Sequence, residues 1–585
     1  MDYRLNTAAA ATKEPVRRSV GRLVPLMKGE GLRVALAFAA ITVTSVITLL
    51  TPLVISHVVD TYIVARDYGG VFRWSAILLG LFLVALGSSY LQSRTMGGVG
   101  RRILFNLRNT LFVKLQELPV AFFNQNKSGD LISRINNDTD KLNQFFAQAL
   151  LQFLGNAFLI VGAGIFLLVL DVRLGAAALA PAVLVIVVTQ LIGGWVKRTS
   201  FTSLQTLGGL SGEIQESLAN FKVIVAFNRI DYFRSRFAAA NLANYSASIR
   251  AGIASNIFVP LYGLASAFGI ATVIIYGVLL IRDGSLTIGL LIAFLLYANS
   301  FYQPLRQLAA IWSSLQLALA GLDRVSEVLS LRSDMAIIPS PHVASDAVVA
   351  FEDVTFRYPG MAGDVIRHAS FELERGKTYA FIGPTGGGKT TTASLMARLY
   401  DPNSGRILVE GRDVRSYEPA ERAARIGFIL QEPFLFTGTV RDNIRYGNTD
   451  SDGIADDRLL ARLDELGLSA LLDRFEDGLD TKVTSAGDSM SLGQKQLIAF
   501  IRAALRSPDL LILDEATANI DTVTEQLLQA ILRKLPARTT RVIIAHRLNT
   551  IESADEIFFV NAGAVVRAGS MENAVAMLRA GARAS

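Results

Sequence analysis

Cysteine is absent from all 585 residues. Disulfides, thiolate zinc sites and cysteine-ligated iron–sulfur clusters are therefore excluded. The first 26 residues lack the apolar core of a signal peptide, although they carry Lys13, Arg17, Arg18 and Arg22, so segment 1–26 is expected to be retained as a cytoplasmic extension. Charge is nearly missing from the long apolar runs that recur up to about Ala320, which argues against a buried ion pathway. After Ala350 the composition changes to that of a soluble α/β domain, so the chain holds at least two domains. The net charge is +7, and much of the basic excess lies in residues flanking apolar spans. That placement fits a membrane protein better than a nucleic-acid-binding surface, and no nucleic-acid partner is expected.

Six stretches reach the roughly 20 residues that cross a bilayer core of about 30 Å. They lie near Val34–Val58, Trp74–Gln92, Ala147–Leu170, Leu174–Val196, Ile253–Ile281 and Leu286–Leu308. Pro260 and Pro304 fall in the last two, where neighbouring helices can satisfy the freed carbonyls. The connections after spans two and four are long, helical in period and rich in Lys and Arg; the other three are short and poor in them. The positive-inside rule places the N-terminus, both long connections and the C-terminal domain in the cytoplasm. Each long connection reads as two helical extensions joined by a turn, one near Asn124–Gly129 and one near Asn220–Ile224. The apolar Phe221, Val223 and Ile224 favour a lever that touches the C-terminal domain over a solvated hairpin. His57 and Asp60, near the outer end of span one, suit a local polar contact rather than a proton relay. Tyr90, Asn156, Gln190, Tyr262, Tyr297, Asn299 and Tyr302 are available to line a cavity or to pack between helices. An apolar or amphipathic substrate fits such a lining better than a small ion. A stretch rich in Ser and Pro then forms a linker.

Beyond it the chemistry is legible. Gly383-Pro384-Thr385-Gly386-Gly387-Gly388-Lys389-Thr390 follows the apolar run Tyr379–Ile382 and precedes a helical pattern from Thr391 to Leu399. Strand, glycine loop and helix form the context of a phosphate-binding P-loop. Glycines let backbone N–H groups curl round a phosphate chain, and the helix directs its free N–H groups at the same anion. Lys389 would reach the β- and γ-phosphates, and the Thr390 hydroxyl would ligate Mg²⁺. Tyr358, at the end of a short strand before Pro359, offers a face for adenine or a core ring. Gln431, ending the strand Ile426–Leu430, is a Mg²⁺ ligand and water-orienting amide, or a cap. Ser491 and Gly493 open an amphipathic helix running from Lys495 to Leu505, a second anion site. The buried run Leu510–Leu513 ends in Asp514, for the magnesium shell, and Glu515, placed as general base on the attacking water. His546 ends the run Val542–Ala545 as a γ-phosphate contact.

These residues resemble the ATP-binding cassette family, and the six-span domain in front resembles its exporters, over roughly Val24 to Leu578. The resemblance implies Tyr358 as A-loop aromatic, Gly383–Thr391 as Walker A and its continuation, and Gln431 as Q-loop. It implies Met490–Gln494 as signature, Asp514 and Glu515 as Walker B, Asp521 as D-loop and His546 as switch histidine, with ATP and Mg²⁺ bound. Residues 124–131 resemble the segment round the first coupling helix. Two cassettes of the family pair head to tail, so a second half-transporter is the expected partner. The expected fold is a six-helix membrane α-helical domain (27–328), a linker (329–348) and an α/β ATPase domain (349–585).

The departures are informative. Leu492 replaces the first glycine of the usual Leu-Ser-Gly-Gly-Gln signature, Ser485 stands where a glutamate is usual, and the D-loop reads Ala518-Asn519-Ile520-Asp521. The hydrolysing residues are complete, while the part offered to the opposite site is altered. That split resembles the catalytically complete half of bacterial heterodimeric exporters. The reading is an ATP-hydrolysing exporter half in a bacterial inner membrane, for a lipid, peptide or other small-molecule substrate. A homodimer, an importer with this fold and an ATP-gated regulator are the alternatives.

Overall fold

A computed structural model describes residues 2–5, 25, 28–448, 456–484, 490–514, 522–544 and 554–580. Glu515, Asp521, His546 and Ser485 lie outside the described residues. The chain divides into two compact units. One holds residues 6–116 and 129–330; the other holds residues 1–5, 117–128 and 331–585.

In the first unit, six helical stretches are long and apolar enough to cross a membrane, and each contains or overlaps one of the expected spans. The second helix runs on from Tyr68 to Gln116 and the fourth from Val172 to Ala219, so the long connections continue the spans as helix. Pro304 lies inside the helix Ile288–Ser330. Pro260 does not interrupt a helix. The helix Ile230–Asn256 stops and a new one starts at Phe258, placing Pro260 in a first turn where its missing N–H costs nothing. The second turn contains a one-and-a-half-turn helix, Phe221–Ala226, on which Phe221 and Val223 are exposed and Ile224 is buried.

Three tyrosine hydroxyls in this unit tie helices together. The Tyr297 hydroxyl donates to the Leu49 carbonyl (2.5 Å) and the Tyr302 hydroxyl to the Ala178 carbonyl (2.7 Å). Tyr262 is buried and shares a bond with Thr189, whereas Tyr90, Gln190 and Asn299 are exposed and Asn156 is buried. Asp60 accepts from the Thr287 hydroxyl (2.6 Å) and the Gly289 N–H (2.8 Å), capping the start of the sixth span. His57 stands edge-on to Trp74 and Tyr62. The Asp60 contacts thus join the first span to the sixth, 227 and 229 positions on, while those of His57 to Trp74 and Tyr62 are ring edges. Near the far end of the same helices, Arg134 is 1% exposed and bonds Asp130 (3.0 Å), Glu327 (2.7 Å) and the Arg324 carbonyl (2.8 Å).

Among the described residues, the second unit holds two large sheets and a small antiparallel pair, Gly438–Thr439 with Lys482–Val483. A four-stranded antiparallel sheet is ordered Ile366–Glu374, Ala347–Phe356, Ser404–Val409, Arg412–Asp413. The six-stranded sheet is ordered Ala564–Arg567, Glu556–Asn561, Thr378–Ile382, Thr540–Ile544, Leu510–Asp514, Ile426–Ile429. Its last five strands are parallel, with the first hairpin antiparallel. Leu510–Asp514 is buried throughout, which is why it reads as an unbroken apolar run instead of alternating.

Candidate functional site

Register brings the carboxyl ends of the central strands level. Ile544 pairs with Phe381 on one side and Asp514 on the other, and Leu513 pairs with Ile429. The carboxyl ends of four neighbouring strands therefore lie level, and they lead into the glycine loop, His546, Glu515 and Gln431 respectively. Ligands of open parallel sheets bind outside such ends.

The glycine loop folds tightly against the strand Glu556–Asn561. A Cβ on Gly383 would lie 2.0 Å from the Val560 carbonyl oxygen, and one on Gly387 2.6 Å from it. Gly388 has φ +115° and Gly386 φ +81°, conformations that side chains rarely adopt. The helix Lys389–Met396 starts directly after Gly388. It opens two residues earlier than the pattern from Thr391 predicted and ends three residues sooner than Leu399. The glycine residue at φ +115° is its cap, so Lys389, Thr390 and Thr391 occupy the first turn. Thr385 and Gly386 form the loop's turn, closed by the Pro384 carbonyl accepting from the Gly387 N–H at 3.1 Å.

The Lys389 ammonium donates to the carbonyl oxygens of Gly383 (2.9 Å) and Pro384 (3.1 Å), folded over the loop in a buried position. Thr390 Oγ1 donates to Asp514 Oδ1 at 3.1 Å, and Asp514 is 3% exposed. A hydroxyl beside a carboxylate supplies the hard oxygen ligands that Mg²⁺ takes. A cradle of backbone N–H groups, a lysine and this oxygen pair fit a nucleoside triphosphate with its magnesium.

The strand before Tyr358 ends at Phe356, two residues sooner than predicted, and releases Tyr358 over the loop. Its hydroxyl pairs with Thr391 Oγ1 at 3.0 Å, and burial pushes that hydroxyl's pKa up. The ring stands edge-on to Phe356 and to Tyr400, with centroids 4.9 and 5.1 Å away. Sequence reasoning missed Tyr400, whose hydroxyl accepts from Asn124 Nδ2 at 2.6 Å. Asn124 belongs to Glu117–Ser128, the segment between spans two and three that packs in the ATPase unit. The only signal was Tyr400's aromatic character four residues beyond Met396, which a core ring would share.

Gln431 is exposed and follows a strand that ends at Ile429, not Leu430. The signature helix starts at Leu492 and ends at Ala504, rather than spanning Lys495–Leu505. Ser491 is its cap: Ser491 Oγ accepts from the Gln494 N–H (3.2 Å) while Gln494 Oε1 accepts from the Ser491 N–H (3.0 Å). This reciprocal pairing satisfies two donors and starts the helix early. Gln494 also donates to the Arg474 carbonyl at 3.0 Å. Leu492 and Gly493 occupy the first two helical positions, half-buried. Helical φ is open to leucine, so backbone strain does not forbid it; the missing glycine matters only for closeness to a ligand.

The ABC transporter transmembrane region profile matches residues 34–305, and the ABC transporter profile matches residues 366–518. An uncharacterized ABC transporter ATP-binding protein, YfiC of Bacillus subtilis, is 32% identical over 94% of this chain and 91% of its own length. The fatty acid ABC transporter ATP-binding/permease protein of Mycobacterium tuberculosis is 34% identical over 86% of this chain and 79% of its own. An ATP-dependent lipid A-core flippase of Syntrophus aciditrophicus is 28% identical over 95% and 92%. The chain belongs to the ABC transporter family, carries membrane and ATPase domains in one polypeptide, and is an ATPase coupled to transmembrane transport.

Proposed function

We propose that this chain is one half of an ATP-driven exporter that moves an apolar or amphipathic substrate across a bacterial inner membrane by alternating access. The observation that carries the reading is the level row of four strand carboxyl ends in the ATPase unit, in a chain that also carries six apolar spans. Residues 27–328 would be the membrane domain, 329–348 the linker and 349–585 the ATPase domain, with the basic connections and both termini on the cytoplasmic side. Relatives named for fatty acid and lipid A-core transport make a lipid-like substrate the first class to test.

When bound, ATP would supply the phosphoanhydride and Mg²⁺ would neutralise its oxygens. Gly383–Thr391 would hold the phosphates, with Lys389 leaving the loop carbonyls to meet them. Thr390, Asp514 and Gln431 would hold the magnesium. Tyr358 would stack on the base. Glu515 would take the proton of the attacking water, and His546 would hold the γ-phosphate. Ser491, Gly493, Gln494 and Asp521 would face the site of a partner half-transporter, a heterodimer being favoured because Leu492 would impair both sites of a homodimer.

The test is transport in proteoliposomes by the purified complex, offered fatty acid, phospholipid, peptide and drug probes with and without ATP. Vectorial, ATP-dependent movement of a lipid-like probe is expected; flux independent of hydrolysis would point to a gated regulator instead.

A further inference from the structure

Segment Asp2–Leu5 is seated in the ATPase unit with the detail of a bound peptide. Tyr3 is 1% exposed and Leu5 7%. The Tyr3 hydroxyl donates to Asp334 Oδ1 (2.6 Å) and accepts from the Asp334 N–H (2.9 Å). Its backbone is read as well: the Tyr3 N–H donates to Gln125 Oε1 (2.8 Å), and Asn126 Nδ2 donates to the Tyr3 carbonyl (2.9 Å). The Leu5 N–H donates to Asn126 Oδ1 at 3.0 Å, so one amide side chain bonds two backbone groups of the segment. The ring packs edge-on against Phe122, centroids 6.4 Å apart. Burial and the bond to Asp334 push the Tyr3 hydroxyl up to about 12.

The receptor has two parts. Phe122, Gln125 and Asn126 belong to the segment joining spans two and three; Asp334 lies just beyond Ser330, where the sixth span's helix ends. Asn124, in the same short helix as Phe122 and Gln125, bonds Tyr400, which abuts Tyr358. We propose that Asp2–Leu5 is a built-in peptide ligand that clasps these two connections together, and that Tyr3 is a positioning residue holding Asn124 against Tyr400. The clasp thereby sets how nucleotide occupancy at Tyr358 is read by the segment that leads to spans two and three, which rests on the ATP-site reading above.

The experiment uses the full chain, tagged at its C-terminus, as the complex that co-purifies, in lipid nanodiscs. Hydrogen–deuterium exchange is followed for residues 117–128 and 331–336 in wild type, Tyr3→Phe and Tyr3→Ala. Tyr3→Ala should speed exchange in both segments by roughly tenfold, with Tyr3→Phe in between because it keeps the ring and loses only the hydroxyl. Unchanged exchange in Tyr3→Ala overturns the clasp. ATP affinity should stay within roughly threefold while ATP-induced protection of 117–128 and maximal turnover fall together. Faster exchange with turnover and ATP-induced protection unaltered overturns the positioning role. Lys389→Ala run in parallel separates the readings: normal ATP binding there sinks the ATP-site assignment and leaves the nucleotide-free exchange result on Tyr3 standing by itself.

Discussion

Glu515 follows a strand whose last residue, Asp514, is buried and bonded to Thr390. If Glu515 is the general base, Glu515→Gln should keep ATP binding and lose about 10² to 10⁴-fold of turnover, because the amide keeps shape and loses basicity. Steady-state ATPase of the complete complex measures this; near-wild-type turnover would remove Glu515 from the role. Tyr358 makes a second prediction. Its ring edge is held by Phe356 and Tyr400 and its hydroxyl by Thr391, leaving a face for a base. Tyr358→Ala should weaken ATP and GTP binding equally by about 1–3 kcal/mol, and Tyr358→Phe should do much less. Titration with both nucleotides decides it, and a shift in base preference would mean edge hydrogen bonding instead of stacking. The motif residues were legible because phosphate chemistry demands glycine, lysine and carboxylate at set spacings. Tyr400 was not, since nothing in its own neighbourhood distinguishes it from a core aromatic; its partner Asn124 is 276 positions away.

Among elements, the helix Ile288–Ser330 is tied to the helical segments after residue 128 by a charge cluster built round the buried Arg134 and Asp138. Arg324 pairs with Asp138 at 3.2 Å and with Asp130, and Lys141 pairs with Asp138 at 2.9 Å. The backbones approach closely there: a Cβ on Gly321 would lie 2.9 Å from the Asp138 carbonyl oxygen. Arg134→Ala would leave the Asp130 and Glu327 carboxylates, 22% and 25% exposed, with less compensation, a loss of about 1–3 kcal/mol. Thermal unfolding in nanodiscs should show a clear drop in midpoint, larger than for Arg324→Ala, whose side chain is 23% exposed. A wild-type midpoint for Arg134→Ala would show that the cluster adds nothing to stability. Helix boundaries were misjudged wherever a cap decides them. Gly388 starts the loop helix at Lys389, and the Ser491–Gln494 pairing starts the signature helix at Leu492, both ahead of the apolar periodicity.

For the whole molecule the question is the partner. A defective signature in a homodimer weakens both composite sites, whereas in a heterodimer it weakens one. Co-purification from the native source should therefore bring down a second half-transporter with an intact Leu-Ser-Gly-Gly-Gln and a residue other than glutamate after its Walker B aspartate. This chain alone should hydrolyse ATP poorly, and Leu492→Gly in the complex should change nucleotide retention at the partner's site while Glu515-dependent turnover persists. Full activity from a symmetric dimer of this chain would sink the heterodimer. Leucine fits the helix's first position without strain, so its effect must act through distance to the ligand.

The amino-acid sequence by itself determined the six spans, the change to an α/β domain and the chemical parts of the nucleotide site. Bilayer thickness, backbone burial and phosphate charge each leave a local pattern that needs no distant contact to be read. Only the tertiary structure decided which strands stand side by side, that Arg134 is buried among carboxylates, and that Tyr3 meets Asp334 across 331 positions of chain. Those pairings depend on which surfaces meet when the chain closes, and single hydrogen-bonding residues far apart in sequence carry no periodicity to announce them.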